Sequence, residues 1–501
     1  MIIFKNRRTF LTGLFSVVIS LSACKKAAWD DHNNVINQDL TRNLLDAINA
    51  DPSLSTFNQY LRSTGYSDTL ALSKSFTVWA PDNKALESLD KSIVDNPAEL
   101  KKFVAYHIAY QAYFTSDAAS SVSVKTLEGK AISFSEAAFE EAKITSANRY
   151  VKNGVLHVID QASAPKLSAW AFIQQNPKLE QLEGYINSLY YKGLDLSNAV
   201  FLYFDPTTFQ AVYQEGTTRE VTLNKYFERV ANLSSEDSLA TYIVLTNEAL
   251  AEERDKLKPY FQVPATFPAT YTDSMATWSA VKDLVIPGVR TEAELANTVT
   301  AYSGVRIKVN AADIVEKKML SNGVAYVVKK LDYQMLDNKI PAITIQGELV
   351  DSLRTPSTPV RKIKKDAANT VFTDYSVESI TSSPNPLYFF RYRPVLNSVK
   401  YKVFVRSIHD LKDKAPISMR LDFSLTRNSP TTDLSKHTTT GYFSVPYFNT
   451  IPNPYAEKEV GIFDATQYGS WYVYLASAAT GVTSTTATGL SLDYVKLVPI
   501  N

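Results

Sequence analysis

Hydrophobic and polar residues alternate with a period of two in the segment that begins at Phe76. Phe76 and Val78 face one side of a predicted strand, while Thr77 and Trp79 face the other. Pro81 cannot donate to a strand ladder and ends the strand. A second strand signal, residues 153–160, begins with the turn dipeptide Asn-Gly and continues as an apolar run.

Helical periodicity surrounds these two strands. Asp82 or Asn83 is the predicted cap of a helix that follows the first strand. Apolar residues four positions apart predict another helix over 40–48. Asp51-Pro52 and Asn96-Pro97 each place a capping residue before a proline at the first helical position. The helix after Asn96-Pro97 has an apolar stripe that includes a histidine: Leu100, Phe103, Val104, His107 and Ile108.

The same strand and helix pattern recurs later in the chain. Residues 241–250 repeat the strand followed by a capped helix, and residues 322–332 repeat the Asn-Gly strand. The offsets are nearly equal, 164 positions from Asn83 to Asn247 and 169 positions from Asn153 to Asn322. A near-constant offset between two separate motifs indicates a duplicated domain.

Beyond residue 340 the helical stripes stop and short alternating runs take their place. Four such runs are separated by turns rich in Pro, Gly, Ser and Thr: 399–405, 417–425, 471–475 and 490–497. A sheet with one buried face and one solvent-exposed face is typical of antiparallel sandwiches. The pattern therefore predicts an all-β domain over residues 340–501.

Composition narrows the class of protein. The 501 residues are 45% hydrophobic and 21% charged with a formal net charge of +1. This is ordinary globular composition, with room for about two to four domains. The neutral balance argues against a nucleic-acid binder, which needs a basic face. The single cysteine, Cys24, excludes a disulfide within the chain.

The N-terminus has the charged, apolar and small-residue zones of a secretory signal over residues 1–23. Leu21-Ser22-Ala23-Cys24 resembles a bacterial lipobox, which implies cleavage before Cys24 and acylation of its thiol. A short transmembrane anchor or a free thiol is the alternative. Residues 24–38 are interpreted as a tether, and their charges resemble the surface-export signal of Bacteroidetes lipoproteins. Arg7-Arg8 resembles a twin-arginine motif, but an ordinary basic region is the favoured explanation.

The two strand segments, with Tyr106-His107 between them, resemble the signature boxes of the fasciclin (FAS1) family over residues 39–165. The resemblance implies a β-sheet wedge with helices and a role in adhesion. The positions that match the family's motifs are Phe76, Thr77, Pro81, Asn83, Tyr106, His107, Asn153, Gly154 and His157. Residues 168–335 resemble a degenerate second copy. There Thr246 stands near the place of the missing proline, and Leu284 stands about where the histidine would be.

Candidate chemistry is sparse. His107 on an apolar stripe is either a metal ligand, a general base or a neutral imidazole held by a hydrogen bond, and the family resemblance favours the last. His157, inside a strand, receives the same interpretation. The histidines show no metal-ligand spacing, and no metalloprotease, nucleophile-elbow, P-loop or Rossmann motif is present. A glycosidase carboxylate pair stays open, because its members need to meet only in space.

The last strand resembles the closing strand of galactose-binding-like jelly rolls, a scaffold of carbohydrate-binding modules. If this domain binds glycan, exposed aromatic rings should stack on the sugars; sheet packing is the alternative for each ring. The candidates are Tyr447, Phe448, Tyr455, Tyr468 and Trp471.

Together these observations predict a multidomain α+β plus all-β protein: two FAS1 domains followed by a jelly-roll-like β-sandwich. We expect a non-enzymatic lipoprotein without cofactor or metal, anchored in the outer membrane and exposed at the surface. Its expected partner is a glycan or a surface protein. Two alternative hypotheses are an accessory of an outer-membrane polysaccharide transporter and a glycoside hydrolase.

Overall fold

The computed structural model describes residues 38–118, 120–268, 270–366, 368–377, 387–410, 415–428, 438–445, 456–477 and 489–501. They form two compact units, which meet in sequence between Leu167 and Ser168. We call them unit 1 and unit 2. In the part of the chain that the structure describes, every helix is too short or too polar to cross a membrane.

Unit 1 combines short helices with one sheet. Its α-helices are α1 (Leu44–Asn49), α2 (Ser55–Ser63), α3 (Tyr66–Leu70), α4 (Asn83–Leu86), α5 (Lys91–Val94) and α6 (Pro97–Tyr106). Its strands are β1 (Phe76–Pro81), β2 (Ile108–Tyr110), β3 (Val122–Lys125), β4 (Ala131–Phe134), β5 (Ala138–Phe139), β6 (Ala142–Val151) and β7 (Gly154–Ile159). Single 3₁₀ turns lie at Gln38–Thr41, Pro52–Leu54 and Thr115–Ala118.

Strand β1 lies inside the sheet of unit 1, whose order is β2-β1-β7-β6-β5-β4-β3. It runs parallel to β7, with Phe76 opposite Gly154 and Pro81 opposite Ile159. All six residues of β1 are buried. One of its faces packs on the helices, and the other packs on an aromatic cluster with β4, β5 and β6. Strand β1 therefore lies between two hydrophobic cores and contributes side chains to both.

The structure corrects one local prediction and decides between the two alternatives of another. The helix predicted over 40–48 begins only at Leu44, where the side chain of Asn43 caps it by accepting a hydrogen bond from the Asp46 amide. Leu40 lies in a separate 3₁₀ turn and is 42% exposed. After β1, the cap is Asp82 and not Asn83, because the Asp82 carboxylate accepts from the Ala85 amide at 2.7 Å.

Unit 2 begins with a mixed segment. Its helices are α7 (Ala169–Gln175), α8 (Glu180–Asn187), α9 (Lys225–Arg229), α10 (Asn247–Leu257), α11 (Thr270–Val281) and α12 (Glu292–Leu295). The strands of this segment are β8 (Tyr190–Asp195), β9 (Phe201–Phe204), β10 (Ala211–Tyr213), β11 (Arg219–Asn224), β12 (Ala240–Leu245), β13 (Val285–Pro287), β14 (Val299–Thr300), β15 (Arg306–Ile307), β16 (Ile314–Leu320) and β17 (Gly323–Val328).

The sheet β13-β12-β17-β16 of unit 2 repeats the order β2-β1-β7-β6 of unit 1. Strand β12 is parallel to β17, with Ala240 opposite Gly323, as Phe76 is opposite Gly154. Both glycines have positive φ angles, 153° and 142°. A Cβ atom at either position would lie within 2 Å of the facing carbonyl oxygen, at 1.9 Å and 1.8 Å. The same close approach of two backbones thus requires glycine in both sheets.

Side-chain hydrogen bonds repeat as well. The Asn153 carboxamide accepts from the Leu44 amide and donates to the Leu70 and Leu72 carbonyls. The Asn322 carboxamide makes the corresponding set, which joins Ala169, Leu233 and Ser235. Asn83 ties the amide of Thr56 to the carbonyl of Pro52, and Asn247 ties the amide of Gln181 to the carbonyl of Pro177. Local chemistry and strand register therefore coincide in the two segments.

The register corrects one of the two equivalences taken from the sequence. Leu245, not Thr246, occupies the place of Pro81, because both end the parallel strand opposite Ile159 or Val328. Thr246 takes the role of Asp82 and caps α10 by accepting from the Ala249 amide. The carbonyl of Leu284 receives the Ile243 amide, as the carbonyl of His107 receives the Trp79 amide. Leu284 does stand at the histidine position.

The rest of unit 2 is all-β, as the alternation predicted. Its strands are β18 (Ile343–Gln346), β19 (Ser352–Arg354), β20 (Val360–Lys365), β21 (Val371–Val377), β22 (Phe389–Tyr392), β23 (Val395–Leu396), β24 (Lys400–Arg406), β25 (Ile417–Ser424), β26 (Thr438–Val445), β27 (Lys458–Asp464), β28 (Gly469–Ser470), β29 (Tyr472–Ser477), β30 (Leu490–Leu492) and β31 (Tyr494–Ile500).

Two antiparallel sheets, β18-β31-β24-β27 and β19-β22-β29-β25-β26, share one hydrophobic core. The expectation of one wet face fails for β25. Arg420 and Asp422, on its polar side, are buried and form an ion pair of 2.9 Å. Strand β25 lies between β29 and β26, and both of its faces are covered. Burial of the charges is tolerated because they neutralise each other.

Candidate functional site

His107 lies in the helix-side core of unit 1, at the end of α6. Its ring is fully buried against Phe103 and Phe139, with centroid distances of 4.5 and 5.3 Å. The Nδ1–H group donates to the Phe103 carbonyl at 2.8 Å, so Nε2 carries no proton in the neutral ring. Burial lowers the pKa of His107 to about 4. The imidazole is therefore neutral near pH 7 and reaches no cleft.

His157 lies on β7 and connects the core to a loop. Its Nε2 donates to the Tyr113 carbonyl at 3.0 Å, and its Nδ1 accepts from the Asn148 amide at 3.3 Å. The ring stacks on Trp79 with an interplanar angle of 13°. Burial lowers the pKa of His157. This neutral ring fixes the position of the Tyr113 backbone.

The first motif strand holds the same loop from its other side. The Thr77 hydroxyl donates to the Gln111 carbonyl and accepts from the Tyr113 amide, each at 2.8 Å. The ring of Phe76 packs against Tyr110 at 5.6 Å. Phe76, Thr77 and His157 thus orient a short segment that carries two tyrosines. The motif residues are buried, but what they position is at the surface.

Those tyrosines line an open cleft of 520 Å³. Its walls come from the start of α3, the end of β2 and the turn after β3: Tyr66, Thr69, Tyr110, Gln111, Tyr113, Lys125, Thr126 and Leu127. Tyr110 is 55% exposed. The volume lies within the range of small-ligand sites, roughly 300–1,000 Å³. We call this feature the tyrosine cleft.

The tyrosine cleft combines flat apolar rings with hydrogen-bonding groups. Burial and the nearby Glu128 carboxylate raise the pKa of Tyr66, so its hydroxyl stays protonated and can donate. Lys125 adds a positive charge at the rim. Phenol rings present an apolar face and a polar edge, which is the combination that a sugar ring or a peptide backbone requires. Nothing in this arrangement supplies a nucleophile beside a base.

Gln111 has a left-handed backbone at the edge of the cleft, with φ of 75°. In unit 2 the equivalent position is Gly288, with φ of 74°, and its carbonyl accepts the Thr241 hydroxyl as that of Gln111 accepts Thr77. A left-handed conformation costs a non-glycine residue roughly 1–2 kcal/mol. Unit 1 therefore has a residue with a strained backbone, Gln111, at the position where unit 2 has a glycine that adopts the same conformation without strain.

The other motif residues have structural surroundings. Pro81 ends β1 against Ile159, and Asn83, Asn153 and Gly154 make the contacts described above. The Tyr106 hydroxyl donates to Glu140 at 3.3 Å, and burial strongly raises the pKa of Tyr106. The structure thus places Phe76, Thr77 and His157 directly behind the cleft, in contact with the segment that lines it. The remaining motif residues lie in the frame behind it.

The glycan-stacking candidates need correction where they are described. Trp471 is only 4% exposed, and its indole donates to the Gln467 carbonyl while its ring packs on Phe463. Tyr468 packs on Phe261 at 5.1 Å. Trp471 fills the core of the all-β region and offers no face for stacking, whereas Tyr468 is half-buried and has one ring contact among the described residues, with Phe261. Tyr447, Phe448 and Tyr455 lie outside the described residues, as does Cys24.

The sequence interpretation missed the tyrosine cleft. Tyr66, Tyr110 and Lys125 are far apart in the chain, and each lies at the end of an element where alternation carries no information. The one available signal is Tyr110, which ends a short strand directly before a turn. In the described part of the chain, His, Cys, Asp and Glu form no group of three that could hold a metal ion.

Comparison with known proteins identifies a domain within unit 1. The family model of the fasciclin domain matches residues 52–165. Protein sll1483 of Synechocystis is 27% identical over 172 residues, which cover 32% of this chain and 94% of that protein. Transforming growth factor-beta-induced protein ig-h3 of Sus scrofa is 24% identical over 130 residues, or 24% of this chain and 19% of that protein.

Among solved structures, the FAS1 domain pair of the insect cell adhesion molecule fasciclin I aligns with a TM-score of 0.21 and 13% identity. The alignment covers 57% of this chain and 97% of that structure. The family match confirms the resemblance for the segment that carries the motif strands, the Tyr-His pair and the tyrosine cleft.

Proposed function

Starting from the fasciclin domain at residues 52–165, we propose that this protein is a non-enzymatic adhesion or binding protein of the cell envelope. The binding site is the tyrosine cleft, and the favoured ligand is a glycan, with a partner protein as the alternative. The supporting observation is that Phe76, Thr77 and His157 hold Tyr110 and Tyr113 at an open surface.

The rigidity of the cleft favours binding. Each tyrosine of the segment is held by a ring contact or a backbone hydrogen bond, so little side-chain freedom remains to be lost when a ligand binds. Sugar rings stack through their C–H faces and satisfy their hydroxyls at the edge, where Thr69, Gln111 and Lys125 lie. A charged ligand is less suited, because Lys125 is the only cation among the lining residues of the cleft.

The rest of the chain fits an extracytoplasmic role. We propose acylation at Cys24 and anchoring in the outer membrane, on the basis of the lipobox. The repeated register and hydrogen bonds support a second, degenerate fasciclin domain over residues 168–335, followed by a jelly-roll-like sandwich. A place beside an outer-membrane polysaccharide transporter is the alternative, and genes for a transporter and glycoside hydrolases next to this one would favour it.

The proposal is tested by binding of the full chain to arrays of polysaccharides and to surface proteins. For the ligand found, Tyr110→Ala should weaken binding by about tenfold or more, the loss of a hot-spot side chain worth about 1.4 kcal/mol. Tyr150→Ala is the matched control, because Tyr150 is exposed on the same unit and does not line the cleft.

Equal binding by the Tyr110→Ala and wild-type proteins would remove the cleft from the proposal. Retention on no polysaccharide and no surface protein would contradict the function itself. Hydrolysis of a glycoside by the purified protein, abolished by one Asp or Glu substitution, would establish the enzyme alternative instead.

A further inference from the structure

Residues 188–224 of unit 2 form a long two-stranded arm. Strands β8 and β11 pair over six residues at its base, and β9 and β10 pair near its tip. The Gln214 amide donates to the Val200 carbonyl at 2.8 Å and joins the two paired stretches. In the described residues these strands pair only within the arm and join no larger sheet.

The arm is an insertion relative to unit 1. Helix α8 corresponds to α2, because Asn247 accepts from the Gln181 amide of α8 as Asn83 accepts from the Thr56 amide of α2. The segment that follows α9 corresponds to the end of α3, because Asn322 donates to the Leu233 carbonyl as Asn153 donates to the Leu70 carbonyl. In unit 1 only Thr64 and Gly65 separate the two helices. The strands and asparagine contacts that unit 2 shares with unit 1 are all present without the arm. The arm is therefore not needed to build the core of that part of unit 2.

Both faces of the outer part of the arm, around β9, are apolar and exposed. All four residues of β9 are about half exposed or more, from Phe201 at 49% to Phe204 at 65%, and Phe209 at the tip is 81% exposed. Successive residues of a strand point to opposite faces, so neither face packs on the body of the protein. A two-stranded ribbon of this kind is marginally stable alone in water. An additional covering surface would stabilise it.

The distribution of charged residues in the arm restricts the kind of partner surface that can cover it. Between Leu196 and Gln214 the only charged side chain is Asp205, whose carboxylate already accepts from the Thr207 and Thr208 amides. At the base, Lys192–Glu220 and Arg219–Asp195 pair across the strands. Apolar segments that lie in a bilayer surface are typically flanked by lysine and arginine that face the lipid headgroups. Lys192 and Arg219, which flank the outer arm, are instead paired with carboxylates of the arm. The fitting partner is therefore uncharged, apolar and rich in free strand edges.

A second copy of the arm has all three properties. Ten large hydrophobic side chains between residues 190 and 209 are exposed, six of them aromatic. They present on the order of 900 Å² of apolar surface, at about 200 Å² for each fully exposed aromatic residue. A standard interface buries roughly 800 Å² per partner. Edge pairing buries the part of the arm's surface that lies beside the shared strand edge, and new backbone hydrogen bonds along that edge add to it. Identical edge strands that pair antiparallel also satisfy a two-fold axis, since each strand supplies the same groups to the other.

We propose that the arm is a homodimerisation element, and that two copies of this chain associate through β9, β10 and their exposed aromatic side chains. Edge pairing extends each two-stranded ribbon to four strands, and the aromatic side chains beside the shared edge pack on their counterparts across it. The proposal does not depend on the ligand of the tyrosine cleft.

Cysteine cross-linking of the full chain tests the proposal. In a Cys24→Ser background, Leu202→Cys supplies the only thiol, at the centre of β9. Mild oxidation should convert this protein to a disulfide-linked dimer, whereas Tyr302→Cys, equally exposed on the same unit but outside the arm, should stay monomeric. Adding Phe204→Glu should abolish the cross-link, because it brings two buried like charges together across the two-fold axis.

Sedimentation velocity of the full chain with Cys24→Ser gives the second measurement: a dimer that Phe204→Glu converts to a monomer of unchanged circular dichroism. A monomer at every concentration, with no more cross-linking at Leu202→Cys than at Tyr302→Cys, would overturn the proposal. So would a monomer that neutral phosphatidylcholine vesicles or a polysaccharide recruit through Phe204, because the occupant would then be of another class.

Discussion

At the scale of single residues, the histidine of the Tyr-His motif acts by its size, flatness and neutrality. His107 donates one hydrogen bond to its own helix and otherwise meets aromatic rings. Protonation would place a second N–H where no described residue accepts a hydrogen bond. The cost of that buried charge makes His107 a point at which acid destabilises unit 1.

We therefore predict that His107→Phe makes unit 1 less sensitive to acid. The pKa of His107 falls from 6.5 in the unfolded chain to about 4 in the fold. The unfolded state thus binds the proton first, and stability that is complete above pH 6.5 is lost as the pH falls toward 4. The loss is about 1.4 kcal/mol per pH unit.

Unfolding in urea at pH 7 and at pH 4.5 measures the effect. The unfolded fraction is determined by pulse proteolysis, followed on peptides from β1. The fall in unfolding free energy between these pH values should be smaller in His107→Phe by about 2–3 kcal/mol. The pKa of His157 is also lowered, but it acts equally in both proteins and cancels. An unchanged pH dependence would show that His107 is protonated inside the fold.

At the scale of elements, an asparagine that follows β1, and another that follows β12, connects each of these strands to a neighbouring helix. Asn83 and Asn247 join the strand–helix corner to the N-terminus of a neighbouring helix, each through one hydrogen bond accepted from a backbone amide and one donated to a backbone carbonyl. Neither bond is part of a helix or strand ladder. These carboxamides therefore fix the angle between elements that local backbone preferences leave open.

Asn83→Ala and Asn247→Ala should each lower the unfolding free energy of their own unit, by about 1–2 kcal/mol for two lost hydrogen bonds. Pulse proteolysis in urea, scored on β1 peptides for unit 1 and β12 peptides for unit 2, gives both values. Asn187→Ala is the control, since its side chain bonds only to Glu183 one turn earlier. A harmless Asn247→Ala beside a destabilising Asn83→Ala would mean that β12 is connected to its neighbouring helix differently.

Elements with a local signal could be predicted from the sequence. The alternation at Phe76–Trp79 and the cap-proline pairs at 51–52 and 96–97 determine structure through neighbouring residues, and the structure has a strand or a helix at each. Trp471 shows the limit, because alternation gives the period of a strand but does not say whether another sheet covers the face. The arm shows it too: Phe201–Phe204 has the consecutive apolar residues of a buried strand, yet the structure exposes them.

The tyrosine cleft could not be predicted for a different reason. Its rings come from α3, β2 and the loop after β2, and they meet only because Thr77 and His157 bind that loop from two strands. Each of these hydrogen bonds spans more than thirty residues. Patterns with a period of two or 3.6 residues carry no information at that distance.

At the scale of the whole molecule, unit 2 must keep a helical frame and an all-β region in one compact body. Backbone contacts join them, such as the Tyr468 amide donating to the Gln262 carbonyl. A buried ion pair lies where the chain passes from one to the other. Lys339, four residues before β18, binds the fully buried Asp283 at 2.7 Å, and Lys282 binds the other oxygen of that carboxylate at 2.6 Å.

Asp283→Ala should therefore destabilise unit 2 more than any change in its lysine partners. Burial alone would raise the pKa of Asp283, but Lys339 and Lys282 outweigh it and hold that pKa below its ordinary value. Removal of the carboxylate leaves the Lys339 ammonium buried without its counter-charge, at a cost of about 3–5 kcal/mol. Lys339→Met should cost less, because Lys282 continues to neutralise Asp283.

The double variant Asp283→Ala/Lys339→Met separates charge from packing. With both members gone, no buried charge is left unpaired, so the double variant should be more stable than Asp283→Ala alone. Pulse proteolysis in urea, scored on peptides from β12 and β18, follows both sides of the junction. If Asp283→Ala were as stable as the wild type, the pair would not connect the two regions, and the backbone contacts near Gln262 would carry the junction alone.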